Sequence, residues 1–398
     1  MSQLDLYQEI APKGTIEILK RLAQKISQKR ILHINSTKLG GGVAEILRSL
    51  VPLLQDVGIE ARWEVITGTE EFFATTKAFH NALQGQDQHF SPAMLQNYIA
   101  VNQENARHLS FDADYVVIHD PQPAALIERR PPKGKWIWRC HIDISRPQRT
   151  VWNFLRQFVV RYDAAIFSLP RFAQRLPIPQ FLIYPSIDPL SDKNRELTEE
   201  ELDRIIKRLR ISLEKPILLQ VSRFDRFKDP LGVIQAYRLV KKHHELQLIL
   251  AGGGATDDPE GESALAEVRK AAEDDPDIQI LLLPPDANLE INALQRVANI
   301  VLQKSLREGF GLTVAEAMWK GKPVIGGFTG GITVQVVYGI TGFTVNSVEG
   351  AAYQIHYLLD NPEMIAKMGQ DAKEYVRQNF LITRHLGDYL ALMNYWER

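Results

Sequence analysis

Two glutamates stand eight positions apart in "SLREGFGLTVAEAMWKGKPVI" (305–325), Glu308 in a glycine-punctuated turn and Glu316 in the run that follows. Paired carboxylates suit two chemistries. They can flank a glycosidic bond as acid and base, as hydrolase carboxylates do, or they can grip the hydroxyls of a bound ligand. The spacing here, one residue in a loop and one near the start of a helix expected from about Thr313, does not require them to flank a scissile bond. Taken alone, Glu316 in the first turn or so of that helix would simply complement the helix dipole. Gly309 and Gly311 beside Glu308 expose backbone amides, which makes a substrate-holding role the more attractive reading.

Three further stretches could carry chemistry. In "LLQVSRFDRFKDPLGVIQAY" (218–237), Arg223 and Lys228 follow an apolar run and precede a helix expected from Pro230. Two cations beside a helix N-terminus suit a diphosphate, although any single Lys or Arg can be a solvated surface charge. In "HINSTKLGGGVAEIL" (33–47), Gly40, Gly41 and Gly42 join a strand to a helix. Such a loop lets an anion approach free amides, but it is not GxGxxG and it also reads as a plain turn. In "WRCHIDISRP" (138–147), His141 and Asp143 emerge at a strand end, and "HDPQP" (119–123) repeats the pattern with Asp120 and Gln122. A lone histidine there is as easily structural as functional, while the polar side chains suit a polar substrate.

These stretches need a scaffold that gathers strand ends. Short aliphatic runs alternate with helical patterns almost throughout: 30–35, 61–66, 115–120, 136–141, 164–168 and 181–184, then 216–222, 246–252, 278–283, 299–303 and 323–326. Runs apolar on both faces are strands of a parallel sheet covered by helices. The spacing predicts an α/β chain of two doubly wound, Rossmann-like domains facing across a cleft, with ligands at the carboxyl ends of the strands. The series breaks between Pro185 and Glu214, read as a linker plus a charged surface helix. Expected domains are 1–188 and 189–382, with a C-terminal helix over about 383–398 packing back on the first.

Bulk properties agree. A chain of 398 residues exceeds one ordinary core, and 45% hydrophobic with 24% charged residues is ordinary for a globular protein. A net charge of −1 gives no reason to expect nucleic acid or an anionic membrane. One cysteine, Cys140, rules out an internal disulfide. With no apolar signal core at the N-terminus and no apolar run near the ~20 residues a span needs, the expected location is the cytoplasm. "DAD" (112–114) and "DPD" (275–277) match the literal DxD of metal-dependent sugar transferases but precede strands, so they are read as solvated turns. The ten histidines show no metal-ligand spacing, and no metal site is expected.

"SRFDRFKDP", "EGFGLTVAEAMWKGKPVIG" and "GGITVQVVYGITGF" together resemble the retaining glycosyltransferases of GT-B fold that carry a Glu-x7-Glu motif. "HINSTKLGGGVAEILRSLVPLLQDVGIEARWEVI", "EEFFATTKAFHNALQG", "HDPQPAAL" and "WRCHIDIS" narrow the resemblance to trehalose glycosyltransferring synthases over nearly the whole chain. The resemblance implies transfer of glucose from UDP- or ADP-glucose to free glucose, giving α,α-trehalose, with no tightly bound cofactor and with Mg allowed but not required. It implies that Arg223 and Lys228 hold the diphosphate, faced by the amides of Gly41 and Gly42. Glu316 would hold the ribose, Glu308 with the amides of Phe310, Gly311 and Leu312 the donor glucose, and His141 the transferred sugar near the reacting carbon. Asp120, Gln122 and Asp143 are the acceptor candidates, and the stretch 285–295 would lie near the base. Tyr338 and Phe227 depart from the family pattern and bear on fine donor or acceptor preference. Trehalose phosphorylases, synthases of other glucosides and a catalytically inactive nucleotide-sugar-binding protein are the alternatives. Partners are small molecules, with a homodimer left open.

Overall fold

The computed structural model describes residues 2–38, 40–253 and 259–397. The chain forms two compact units, one of Met1–Ser186 with Ile382–Arg398 and one of Ile187–Leu381.

The first unit runs α1 (Thr15–Gln24), β1 (Arg30–Asn35), α2 (Gly42–Asp56), β2 (Glu60–Val65), α3 (Glu70–Leu83), α4 (Pro92–His108), β3 (Tyr115–His119), β4 (Lys135–Cys140), α5 (Arg149–Val159), β5 (Ala164–Phe167) and β6 (Gln180–Leu182). The second runs α6 (Glu199–Leu209), β7 (Ile217–Val221), α7 (Pro230–Lys241), β8 (Gln247–Gly252), α8 (Pro259–Ala272), β9 (Ile278–Leu282), α9 (Asn288–Val297), β10 (Ile300–Gln303), α10 (Leu312–Trp319), β11 (Val324–Gly327), α11 (Ile332–Gln335), β12 (Gly342–Val345), α12 (Val348–Asp360) and α13 (Pro362–Asn379). The last helix, α14 (Ile382–Trp396), belongs to the first unit and packs on α1 and α2.

Each unit holds one six-stranded sheet, with every pairing parallel among the described residues. The orders are β2-β1-β3-β4-β5-β6 and β12-β11-β10-β7-β8-β9. Both reverse direction of winding, the first between β1 and β3 and the second between β7 and β10. Side chains at that switch point find an open crevice beyond the strand ends, where ligands of open α/β sheets bind. The central strands are buried along their whole length, which explains why their sequences do not alternate.

Local chemistry sets the helix starts. Thr69 and Ser91 cap α3 and α4 by accepting from the N–H of Phe72 and Met94, and Thr198 with Glu201 forms a full capping box on α6. The expected linker is a correction. Residues 187–198 are folded onto the second unit: Asn292 Nδ2 donates to the carbonyls of Asp192 and Arg195, and Lys320 Nζ donates to Asn194 Oδ1 at 2.9 Å. The two DxD turns are corrected in part: Asp112 is exposed, but the other carboxylates are ties. Asp114 accepts from Arg30 N–H at 2.8 Å, Asp277 pairs with Lys215 at 2.9 Å, and Asp275 pairs with Lys241. No group of three potential metal ligands occurs among the described residues. No helix among them is long and apolar enough to cross a membrane.

Two predictions follow from packing. A Cβ on Gly331 would stand 2.4 Å from Phe310 Cα, so Gly331→Ala must push apart the loops after β10 and β11. Chemical denaturation is expected to show a loss of about 1–3 kcal/mol; an unchanged midpoint would mean the two loops are not in firm contact. Lys320 is held down to about 7 from its ordinary 10.5, chiefly by burial. The unfolded chain therefore binds the extra proton between those two values, and this residue makes stability rise with pH across that window. In Lys320→Met the rise in Tm from pH 7 to pH 10 is expected to be shallower than in the parent; equal slopes would remove Lys320 as the cause.

Candidate active site

In the second unit the loops after β7 and β10 lie side by side at the switch point. After β7, the Asp225 side chain accepts from the N–H groups of Phe227 and Lys228, at 2.9 and 3.1 Å, and closes the single 3-10 turn Arg226–Lys228. Asp229 follows in the left-handed region at φ 51° and caps α7 by accepting from Gly232 N–H. Two contacts fix that loop: from the sheet, Gln220 of β7 donates to Lys228 O at 2.8 Å, and from the loop after β10, Leu306 N–H donates to Phe227 O at 2.8 Å.

This arrangement aims Lys228 at Glu308, whose Oε2 is 2.6 Å from Lys228 Nζ. Glu308 also accepts from Ser305 Oγ at 3.3 Å and Gln303 Nε2 at 3.4 Å, so three donors converge on one carboxylate oxygen. Lys304 pairs with Asp229 one step away. Arg223 is different. Its side chain is 67% exposed and pairs with Asp225 at 3.2 Å, which leaves most of the guanidinium's donors facing solvent.

Phe310, Gly311 and Leu312 carry the chain from Glu308 into α10. Gly311 takes φ 81°, a conformation that favours glycine, and Leu312 opens the helix. The first amides of a helix have no intrahelical acceptor and point outward. Gln335 Nε2 holds the turn from behind by donating to Phe310 O at 2.6 Å.

Glu316 lies one residue deeper in its helix than expected. It is the fifth residue of α10 and buried at 1%, so the helix-dipole reading does not apply to it. Its Oε1 is 3.8 Å from Lys193 Nζ, and its buried Oε2 has no hydrogen-bond partner. A buried carboxylate oxygen without a donor is costly, so it calls for a hydroxyl or amide to complete it.

In the first unit, β1 ends in the glycine loop. Gly40 and Gly41 have φ of 72° and 77°, so two of the three glycines are required by the turn itself. A Cβ at either would meet nothing within 4 Å, so the space beside the backbone is open as well. Gly42 starts α2. Across the switch point, Asp120 follows β3 at φ 64° and accepts from His141 N–H at 2.7 Å. Burial pushes its carboxyl up to about 7, while that hydrogen bond works in the opposite direction. Asp120 thus holds the backbone of His141 in place. Asp143 is buried and accepts from Ser145 N–H at 3.0 Å, a local turn contact. The Gln122 carbonyl accepts from Asn102, and its side-chain Oε1 is buried without a partner.

The structure therefore gathers Lys228, Glu308 and the Phe310–Leu312 turn into one cluster in the second unit, with Arg223 on its loop. It gathers Asp120 and His141 in the first. Tyr338 stands apart from the cluster's contacts: it accepts from Gln354 and meets the Phe343 ring edge-on. Sequence reasoning missed Gln220, Gln303, Ser305 and Lys304 in the second unit, and His33, His119 and Arg139 in the first. Most of these share one signal, a polar side chain inside an otherwise apolar strand.

Residues 33–174 match the family described as trehalose synthase, N-terminal domain, and residues 202–375 match glycosyl transferases group 1. The trehalose synthase of Pyrococcus horikoshii is 49% identical over 98% of this chain and 96% of its own length, and that of Thermococcus litoralis is 48% identical over 98% and 97%. More distantly, the trehalose phosphorylase of Pleurotus pulmonarius is 27% identical over 94% of this chain and 58% of its own length. Among solved structures, a UDP-forming α,α-trehalose-phosphate synthase from Burkholderia xenovorans superposes with a TM-score of 0.74 at 16% identity, covering 92% of this chain and 98% of that one. The sucrose-phosphate synthase of Thermosynechococcus elongatus gives 0.72 at 17%, covering 93% and 100%. These two structures share the GT-B fold seen here. The chain belongs to the trehalose synthase family and is a hexosyltransferase of the glycosyl transferases group 1 type.

Proposed function

We propose that this enzyme is a retaining glucosyltransferase that moves glucose from a nucleoside-diphosphate-glucose, UDP- or ADP-linked, to free glucose and forms α,α-trehalose. The observation that carries the reading is the cluster on the second unit's switch point. Lys228 and the exposed Arg223 supply positive charge on one loop, and Glu308 supplies a fixed acceptor 2.6 Å from Lys228 on the next. Cations suit a diphosphate, and a carboxylate flanked by helix-opening amides suits sugar hydroxyls. The unpartnered Oε2 of Glu316 suits a ribose hydroxyl.

In the reaction, the bond between glucose C1 and the diphosphate oxygen breaks and a bond from C1 to an acceptor hydroxyl forms. The acceptor proton leaves with a departing phosphate oxygen, and attack occurs on the face that the diphosphate vacates. Lys228 and Arg223 stabilise the charge that develops on the leaving group, the term that usually dominates such catalysis. Glu308 orients the donor glucose and takes no proton. The substrates are small molecules, no metal is called on for any step, and the expected location is the cytoplasm.

The likeness to trehalose phosphorylases favours a second reading. There the same cations would hold inorganic phosphate, and trehalose would be consumed without a nucleotide. One experiment separates the two. The protein is incubated with UDP- or ADP-glucose plus glucose, and separately with trehalose plus phosphate, and the products are identified. Trehalose and free nucleoside diphosphate are expected from the first mixture and nothing from the second; glucose 1-phosphate from the second alone would favour the phosphorylase. No product from either would leave only a binding protein. Lys228→Ala is expected to lower the transfer rate by roughly 10²–10³ while far-UV circular dichroism stays that of the parent. Full activity in that variant would sink the phosphate assignment.

A further inference from the structure

Three histidines lie in a row from the middle of the first sheet to its carboxyl edge. His33 is within β1, His119 ends β3, and His141 follows β4. His33 Nδ1 is 3.0 Å from His119 Nε2, and His119 Nδ1 is 3.0 Å from His141 Nε2. His33 and His119 are buried, at 0% and 2% exposure. The groups packed around the row are Asp120, which accepts from the His141 backbone N–H, Arg139, next to His119 in the β3–β4 register, and His385 and Tyr389 of α14; the Tyr389 ring lies 5.5 Å from that of His33. No carboxylate hydrogen-bonds to any of the three rings among the described residues.

Burial, helped by the Arg139 charge for His119 and His141, disfavours protonation of all three rings. A neutral imidazole has one N–H and one bare nitrogen. Two nitrogen-to-nitrogen contacts in series therefore force every ring to point its proton the same way along the row, and only two arrangements exist. With protons on Nε2, His141 donates to His119 and His119 to His33, and His33 then buries an N–H that has no acceptor. With protons on Nδ1, His33 donates to His119 and His119 to His141, and the end of the row is a bare His33 Nε2. That nitrogen has no partner. Buried N–H groups without an acceptor are rarer and costlier than under-used acceptors, so the second arrangement is favoured. In it His141 Nε2 is occupied and His141 Nδ1 carries the proton. No partner for that Nδ1 occurs among the described residues, and His141 is partly exposed.

We propose that His33 and His119 are positioning residues that set the tautomer of His141, so that it offers an Nδ1–H donor, and not an acceptor, to an oxygen of the sugar being transferred. The inference rests on the reading above that His141 meets that sugar. A donor there would bind a hydroxyl or ring oxygen without removing a proton, consistent with a reaction in which the leaving phosphate takes the acceptor's proton.

The tautomers can be read directly. Long-range 1H–15N correlation spectra of the full-length protein labelled with 15N-histidine, assigned with His33→Asn and His141→Gln, are expected to show all three rings neutral and protonated on Nδ1. A proton on Nε2 of His119 or His141, with that of His33 turned onto the Tyr389 ring, or a charged ring in the row, overturns the proposal. Kinetics give a second readout. At position 119, asparagine can place its amide N–H where His119 Nδ1–H stands, whereas the isosteric aspartate carboxylate can only accept and draws the His141 proton onto Nε2. His119→Asp is expected to lower kcat about ten- to a hundredfold, by analogy with metal-bound histidines that lose the group behind them, with KM little changed and His119→Asn close to the parent. Parental kcat in a folded His119→Asp, or an equal loss in His119→Asn, overturns it; if the aspartate variant does not fold, the spectra decide. Failure of the parent to make trehalose would defeat the functional reading and leave the tautomer measurement standing.

Discussion

A parallel sheet covered by helices on both faces leaves no solvent within reach of its central strands, so a polar side chain there can find partners only within the protein itself. The structure turns this constraint into a positioning device. Gln220 of β7 reaches forward to the carbonyl of Lys228, and Gln303 of β10 reaches Ser305 and Glu308 in the loop ahead of it. In the first unit, His119 of β3 reaches His141 in the loop after β4. Each time, a polar residue in a rigid strand uses its hydrogen-bonding capacity on the loop that carries the candidate site. Side chains placed on such loops inherit the precision of the sheet.

The charged part of the second unit follows the same economy. Lys228 and Glu308 are mostly buried, and removing two charges from water is repaid only by good geometry and further hydrogen bonds. Ser305 and Gln303 supply those bonds, and Lys304 with Asp229 forms a neighbouring neutralised pair. The cluster is therefore electrically balanced before any ligand arrives. Arg223 is the exception in exposure: it stands at the surface of the same loop, and turning toward an incoming anion would take it from Asp225, whose Oδ2 is buried.

Much of this was legible in the sequence. The strands announce themselves as short runs with no polar face, and the loops at the switch points by glycine and charge placed directly after those runs. Gly40, Gly41 and Gly311 all take left-handed backbone, so the chemical reading of the glycines and the conformational one coincide. What could not be read depends on distance in sequence. Glu316 was placed in the first turn of its helix because α10 begins at Leu312, one residue earlier than the pattern suggests, and its burial comes from the stretch around Lys193 and Asn194. That stretch looked like a linker because its polar residues carry no periodicity; they bind Asn292, Arg296 and Lys320, about a hundred or more positions later in the chain. The histidine row spans three strands and so has no local spacing at all. Its trace is two polar residues where an aliphatic one is expected, His33 in "RILHIN" and His119 in "YVVIHD".

The helix α14 sets the order in which the molecule can be finished. It is the last element of the chain, yet it belongs to the first unit and lays His385 and Tyr389 against the face that carries His33 and Arg139. During synthesis, residues 1–186 leave the ribosome long before it does, and the entire second unit can fold in the interval. Throughout that time the face that carries Arg139, whose Nε and Nη1 have no hydrogen-bond partner in the folded protein, lacks the helix that later lies against it. The first unit is begun before the second and completed after it, and the surface it keeps open until then is the one that carries His33 and Arg139.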